Sequence, residues 1–126
     1  MLMLAPRFPA PVPVLGHGFR CECVAYVPDE RTLFVLGAHS ADSAWAAVLW
    51  LSWRAAHLAD QLELPAARSL RGWLGDRREG ARALARLSRP AAFALIVPEG
   101  SARYVLSAVP EETRREEVSA VAVAAA

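Results

Sequence analysis

Two cysteines and three histidines are the residues of this 126-residue chain whose types could support nucleophilic or metal chemistry. Cys21 and Cys23 are separated by one residue, which places both thiols on one face of a strand and disfavours a disulfide between them. A zinc site would need more ligands, and neither a second C-x-x-C nor an H-x-x-x-H motif accompanies His17 and His39. We therefore expect two free, buried thiols, no metal and no cofactor.

A cysteine–histidine catalytic pair is the other chemistry that these residue types could support. A four-residue turn at 28–31 would place Cys21 opposite Ala38, so the Cys21 thiol and the His39 imidazole are expected on opposite faces of the sheet. A register shift of one residue would reverse this expectation. Phosphate-binding, nucleophile-elbow and zincin motifs are absent from the sequence. The sequence therefore favours a non-catalytic protein.

Two hairpin patterns and three helical segments predict the elements that position these residues. Residues 19–27 and 32–38 flank a Pro-Asp-Glu-Arg turn, and residues 91–97 and 102–108 flank a Pro-Glu-Gly-Ser turn. A helix capped by Ser40 follows the first hairpin, and a helical pair separated by Gly75 precedes the second. Asp76, with Glu79 three residues later, predicts the start of the second helix of this pair. The segment after Pro110 has valines at helical spacing but could also form a strand. The predicted order is β-β-α-α-α-β-β-α, an α+β fold of two β-hairpin–helix (ββα) units joined by a helical pair.

The two hairpins also resemble each other in sequence. Residues 27–38 (VPDERTLFVLGA) align without gaps with residues 97–108 (VPEGSARYVLSA), and five positions are identical. In both segments a Val-Pro-acid turn is followed by aromatic-Val-Leu. This similarity predicts a structural repeat.

Composition and charge are those of a globular chain. Hydrophobic residues make up 55% of the sequence and charged residues 21%, with a net charge of +1. All basic residues are arginine, which is typical of a GC-rich bacterial genome. Residues 1–18, with prolines at 6, 9, 11 and 13, are expected to form an extended arm, and residues 19–126 a single domain. The sequence has neither a signal-peptide pattern nor a long apolar segment, so we expect a cytoplasmic protein without a membrane partner.

The segment WAAVLWLSWRAAH, residues 45–57, contains three of the four tryptophans. At about 100° per residue, Trp45 falls among the apolar residues of the helix and is expected in the core. Trp50 falls among polar residues, and Trp53 lies at the border. Exposed tryptophan and arginine are frequent anchors of protein interfaces. We predict contact with a protein partner or a second copy through one patch, unless a neighbouring element covers Trp50 and makes it part of the core. The patch consists of Trp50, Trp53, Arg54 and His57.

An arginine stripe supports an alternative function. Residues 64–89 contain seven arginines against two acidic residues, and Arg78, Arg82 and Arg86 recur on one helical face. Such a stripe could bind the phosphates of a nucleic acid. However, Asp76 stands where a helix-turn-helix usually has an apolar residue, and no aromatic side chains are interleaved for base stacking. The leading interpretation is a small regulatory protein that acts through protein contact, including homodimerisation. A nucleic-acid-binding regulator is the alternative, and a small-molecule sensor with an apolar pocket is third.

Overall fold

Four antiparallel strands and three helices make up the part of the chain that the computed structural model describes, residues 18–111. The strands are β1 (Phe19–Val27), β2 (Thr32–Ala41), β3 (Phe93–Glu99) and β4 (Ala102–Pro110). The helices are α1 (Ala44–Ala59), α2 (Leu64–Gly75) and α3 (Arg77–Ser88). The order β-β-α-α-α-β-β confirms the predicted α+β fold. The predicted last element and residues 1–17 of the predicted arm lie outside the described residues.

The strands form one sheet in the order β2-β1-β4-β3, and the helices pack on one of its faces. Side chains alternate along β1, so that Phe19, Cys21 and Cys23 are buried on the helix side. The largest fully buried helix side chains, one from each helix, join them in a single core. These are Leu51, Leu70 and Leu87. None of the helices within residues 18–111 is long and apolar enough to cross a membrane.

Side-chain caps fix where two of the helices begin. The Ser43 hydroxyl accepts a hydrogen bond from the Ala46 amide at 3.0 Å, which makes Ser43 the N-cap of α1. Ser40, the expected cap, lies within β2, because pairing with β1 continues to Ala41. The Asp76 carboxylate caps α3 by accepting from the Arg78 amide at 2.9 Å, as the sequence predicted for a helix start at this position.

The β1–β2 hairpin contains one extra residue on β2. Cys23 lies opposite Gly37, and the next residue, Val24, lies opposite Val35, so Leu36 has no partner on β1. An unpaired residue of this kind is a β-bulge, which increases the local twist and changes the register beyond it. The bulge therefore divides β2 into two segments with different pairing.

The bulge overturns the predicted register near the cysteines. Cys21 lies opposite His39 and not opposite Ala38. Because opposite residues of an antiparallel pair share a face, Cys21 and His39 are on the same side of the sheet, contrary to the sequence-based expectation. The expected register was obtained by counting residues from the turn, and such a count does not include an extra residue inside the strand.

The structure does not confirm the internal repeat. The aligned segments end in β2 and β4, but β2 is an edge strand whereas β4 lies between β1 and β3. Four of the residues of β2 that align with β4 are exposed hydrophobics, whereas β4 is buried from Val105 to Pro110. Similar hairpin sequences thus occupy different positions in the sheet.

Truncation of Leu51 should test the core side of α1. Leu51 is 1% exposed, and its replacement by alanine should lower the free energy of unfolding by about 2–5 kcal/mol, because it leaves a cavity between helix and sheet. Leu49, which is 50% exposed on the same helix, provides the matched control, and Leu49→Ala should cost less than about 1 kcal/mol. Urea unfolding followed by circular dichroism measures both. Equal losses in the two variants would contradict this orientation of α1.

Candidate functional site

Trp50, the central residue of the predicted patch, is half-buried against its own chain. Its ring stacks on that of His39, with centroids 5.8 Å apart and an interplanar angle of 3°. Its Cζ2 lies 3.6 Å from the position that a Cβ on Gly37 would take. Trp50 also packs against the hydrophobic core. Trp50 is therefore partly covered by its own chain, as in the alternative prediction, and is not a fully exposed anchor.

Trp53 and His57 form the exposed part of the patch. Trp53 is 55% exposed, and its ring centroid lies 4.5 Å from that of His57. The Trp53 carbonyl accepts a hydrogen bond from His57 Nδ1 at 2.9 Å. Since a carbonyl can only accept, Nδ1 carries a proton in this contact. Trp53 also lies 6.5 Å from Trp50, measured between centroids, so that His39, Trp50, Trp53 and His57 form a row of neighbouring rings.

Arg54 points toward the strand and not toward solvent. Its Nη2 donates to the carbonyl of the bulged residue Leu36 at 2.9 Å. Its Nε would lie 3.1 Å from a Cβ on Gly37, so only glycine leaves room here without a shift of the guanidinium. Arg54 therefore links α1 to the bulge. Of the predicted patch, only Trp53 and His57 are exposed.

Trp45 is not a core residue, contrary to the sequence-based expectation. It is 59% exposed, and together with Leu49 and Trp53 it forms a stripe at every fourth position of α1. The prediction was wrong because it assigned the buried side of α1 to the positions with large apolar residues. Small alanines, rather than large side chains, occupy much of the buried side of α1. The buried alanines are Ala47, Ala55 and Ala59.

A second exposed apolar group lies on β2 and was missed in the sequence. Leu33, Phe34 and Val35 are each more than half exposed, and Leu36 is 38% exposed. The signal was present: the run LFVL is apolar at consecutive positions, whereas a half-buried strand alternates. Among residues 18–111, seven of the nine exposed large hydrophobic side chains belong to β2 or α1. We call these seven the α1–β2 surface: Leu33, Phe34, Val35, Leu36, Trp45, Leu49 and Trp53.

The cysteines are free and buried, as expected from the sequence. Burial raises the pKa of Cys21 from 9.0 to about 11 and also raises that of Cys23, where the positive charge of Arg54 opposes it. A reactive cysteine needs a lowered pKa and access to solvent. Although Cys21 and His39 share a face, the buried thiol stays protonated at neutral pH. This geometry supports packing and not nucleophilic catalysis.

The three stripe arginines all have partners within their own chain. Arg78 Nε lies 3.5 Å from the Asp76 carboxylate, and Arg82 donates to Glu79 at 3.0 Å. Arg86 Nε donates to the Ala92 carbonyl. The two exposed ion pairs stabilise the fold little, but their carboxylates lower the net positive charge that the stripe presents, whereas the contact of Arg86 with a carbonyl leaves its charge unchanged. Within residues 18–111, no group of three or more His, Cys, Asp or Glu side chains could hold a metal ion.

The raised pKa of Cys21 should appear as a pH dependence of stability. Between pH 9.0 and about 11 the unfolded chain loses the thiol proton and the folded chain keeps it, so stability should fall as pH rises through this window. The contribution of one thiol has a limiting slope of about 1.4 kcal/mol per pH unit. Urea unfolding of the wild type and of Cys21→Ala between about pH 8 and 10.5 measures it as a difference between the two curves. Curves that stay parallel across this window would contradict the buried, protonated thiol.

Comparison with known proteins adds no functional assignment. No protein-family model matches the chain, and neither a curated protein nor a solved structure matches it. The contacts, exposure and charges of residues 18–111 are therefore the basis for assigning a function.

Proposed function

We propose that this protein is a non-catalytic regulatory protein that binds a protein partner through the α1–β2 surface. The observation that carries the proposal is the concentration of exposed apolar side chains on two adjacent elements. The elements are joined by the hydrogen bond from Arg54 to Leu36 and by the stack of Trp50 on His39. The proposal includes a cytoplasmic location, which two free thiols favour.

The size of this surface supports a binding role. Large apolar side chains present about 150–250 Å² when fully exposed, so half-exposed ones leave on the order of 100 Å² each. Four of the seven, Phe34, Trp45, Leu49 and Trp53, lie on the helix side of the sheet and expose on the order of 400 Å², which is the size of the largest and often functional apolar patch of an ordinary monomer, about 300–600 Å². Two tryptophans and a phenylalanine are among the seven, and aromatic residues are enriched at the centres of protein interfaces.

The predicted patch is retained in the proposal with changed roles. Trp53 is the exposed anchor, and His57 beside it supplies a polar contact. Trp50 and Arg54 support the surface from beneath, because Trp50 packs on the core and Arg54 holds the bulge. The nucleic-acid alternative is weaker, since Asp76 and Glu79 lie beside Arg78 and Arg82 and reduce the net positive charge of the stripe.

Site-specific photo-cross-linking in the native cells tests this proposal. A photoreactive phenylalanine analogue in place of Trp53 should give discrete protein adducts, because this position lies on the contact surface. The same analogue in place of Leu64, which is 65% exposed on α2, provides the control and should give none. Adducts at both positions, or at neither, would contradict a contact surface at Trp53.

A further inference from the structure

Apart from the bulge at Leu36, the edge strand β2 lacks the protection that exposed sheet edges usually carry. An edge strand presents unpaired N–H and C=O groups, and charged residues, prolines or bulges commonly prevent other chains from pairing with them. Residues 32–41 contain no Asp, Glu, Lys, Arg or Pro. The opposite edge, β3, contains Pro98 and ends at Glu99. β2 is therefore the edge at which another strand can be added.

The bulge restricts the free edge to the first part of β2. Leu36 is the bulged residue, and its carbonyl already accepts from Arg54. Before it, Leu33 and Val35 lie opposite Tyr26 and Val24 and share the sheet face that is turned away from the helices. Phe34 lies opposite Ala25 on the helix side. Apolar side chains on both faces are typical of a strand inside a sheet, yet here they are 54–60% exposed at its edge.

From this we propose that a second copy of the chain pairs antiparallel with residues 32–36 of β2, so that two four-stranded sheets join into one. This inference rests on the proposed function and names both the partner and the mode of contact. A two-fold axis perpendicular to the sheet and passing through Phe34 keeps the helices of both copies on one face. Leu33 of each copy then lies opposite Val35 of the other, and Phe34 lies opposite itself.

Charge and self-complementarity favour a second copy as the occupant. A two-fold interface places equal charges near each other, so a strand that pairs with itself must be uncharged at its centre. Residues 32–36, Thr-Leu-Phe-Val-Leu, meet this requirement. Both cross-strand combinations, aromatic with aromatic and leucine with valine, are pairs that stabilise antiparallel sheets.

The area available is that of a weak, reversible dimer. Each copy exposes on the order of 500 Å² of apolar surface on the four exposed residues of β2 and on Trp53 of the adjoining helix. Two copies can therefore bury at most on the order of 1,000 Å² of this surface, which is in the range of weak, transient interfaces. Main-chain hydrogen bonds between the two strands add to this contact.

The first test introduces a charge at each sheet edge and measures the mass in solution. Sedimentation equilibrium of the full chain between about 5 and 500 µM should show a monomer–dimer equilibrium. Val35→Lys should raise the dimer dissociation constant about tenfold or more, because it brings like charges of the two copies together near the two-fold axis and because a lysine at a sheet edge opposes strand pairing. Ile96→Lys is the matched control, since Ile96 is 43% exposed on the same sheet face at the opposite edge, and it should leave the constant unchanged.

The second test locates the two-fold axis. Phe34→Cys should form an intermolecular disulfide under copper phenanthroline oxidation, because residues on the axis lie within disulfide distance of their own copies. Ile96→Cys should not, and the native cysteines, both buried, should not contribute. A wild-type chain that stays monomeric, or one that dimerises equally well with Val35→Lys and without the Phe34→Cys disulfide, would overturn edge pairing. The proposed function fails separately, if Trp53 yields no selective photo-adduct with any protein.

Discussion

The β-bulge at Leu36 is the constraint on which the arrangement of this surface depends. The extra residue places His39 and Gly37 on the helix side after the bulge and Phe34 on that side before it. Gly37 leaves room for Arg54, and Arg54 in turn donates to the bulged carbonyl, so strand and helix fix each other. Without the bulge, Cys21 would face away from His39, and the contact of Trp50 with His39 would be lost.

Helix α1 is apolar on both sides but is buried on only one of them. Ala47 and Ala55 let the helix approach the sheet closely, and the larger Leu51 and Leu58 complete the core. The tryptophans thus lie outside or at the margin of the core. A helix with apolar residues on all sides is normally covered on all sides. Within residues 18–111, one side of α1 is left uncovered next to an uncharged sheet edge, and this is the physical basis of the proposed association.

Much of the fold followed from the sequence, because turns, caps and hydrophobic periodicity are local signals. The Pro28 and Pro98 turns and the Asp76 cap are examples. The pairing of His39 with Cys21 could not be predicted from local signals, since the bulge depends on contacts with Arg54, a residue distant in the chain. The prediction that Trp45 lies in the core was wrong for a related reason. A helical wheel that is judged by its large side chains cannot show that alanines face the sheet. The edge position of β2 was also beyond local patterns, because strand order is decided by pairing between the hairpins.

Amide hydrogen exchange of the wild-type chain as a function of concentration tests the central claim most directly. If β2 forms the contact between copies, those amides of residues 32–36 that point to the free edge should exchange more slowly as the concentration rises from about 5 to 500 µM, because strand pairing protects their N–H groups. Amides of β3, at the opposite edge, should exchange at the same rate throughout. Exchange in β2 that is independent of concentration, or protection that appears equally at both edges, would contradict a contact through this strand.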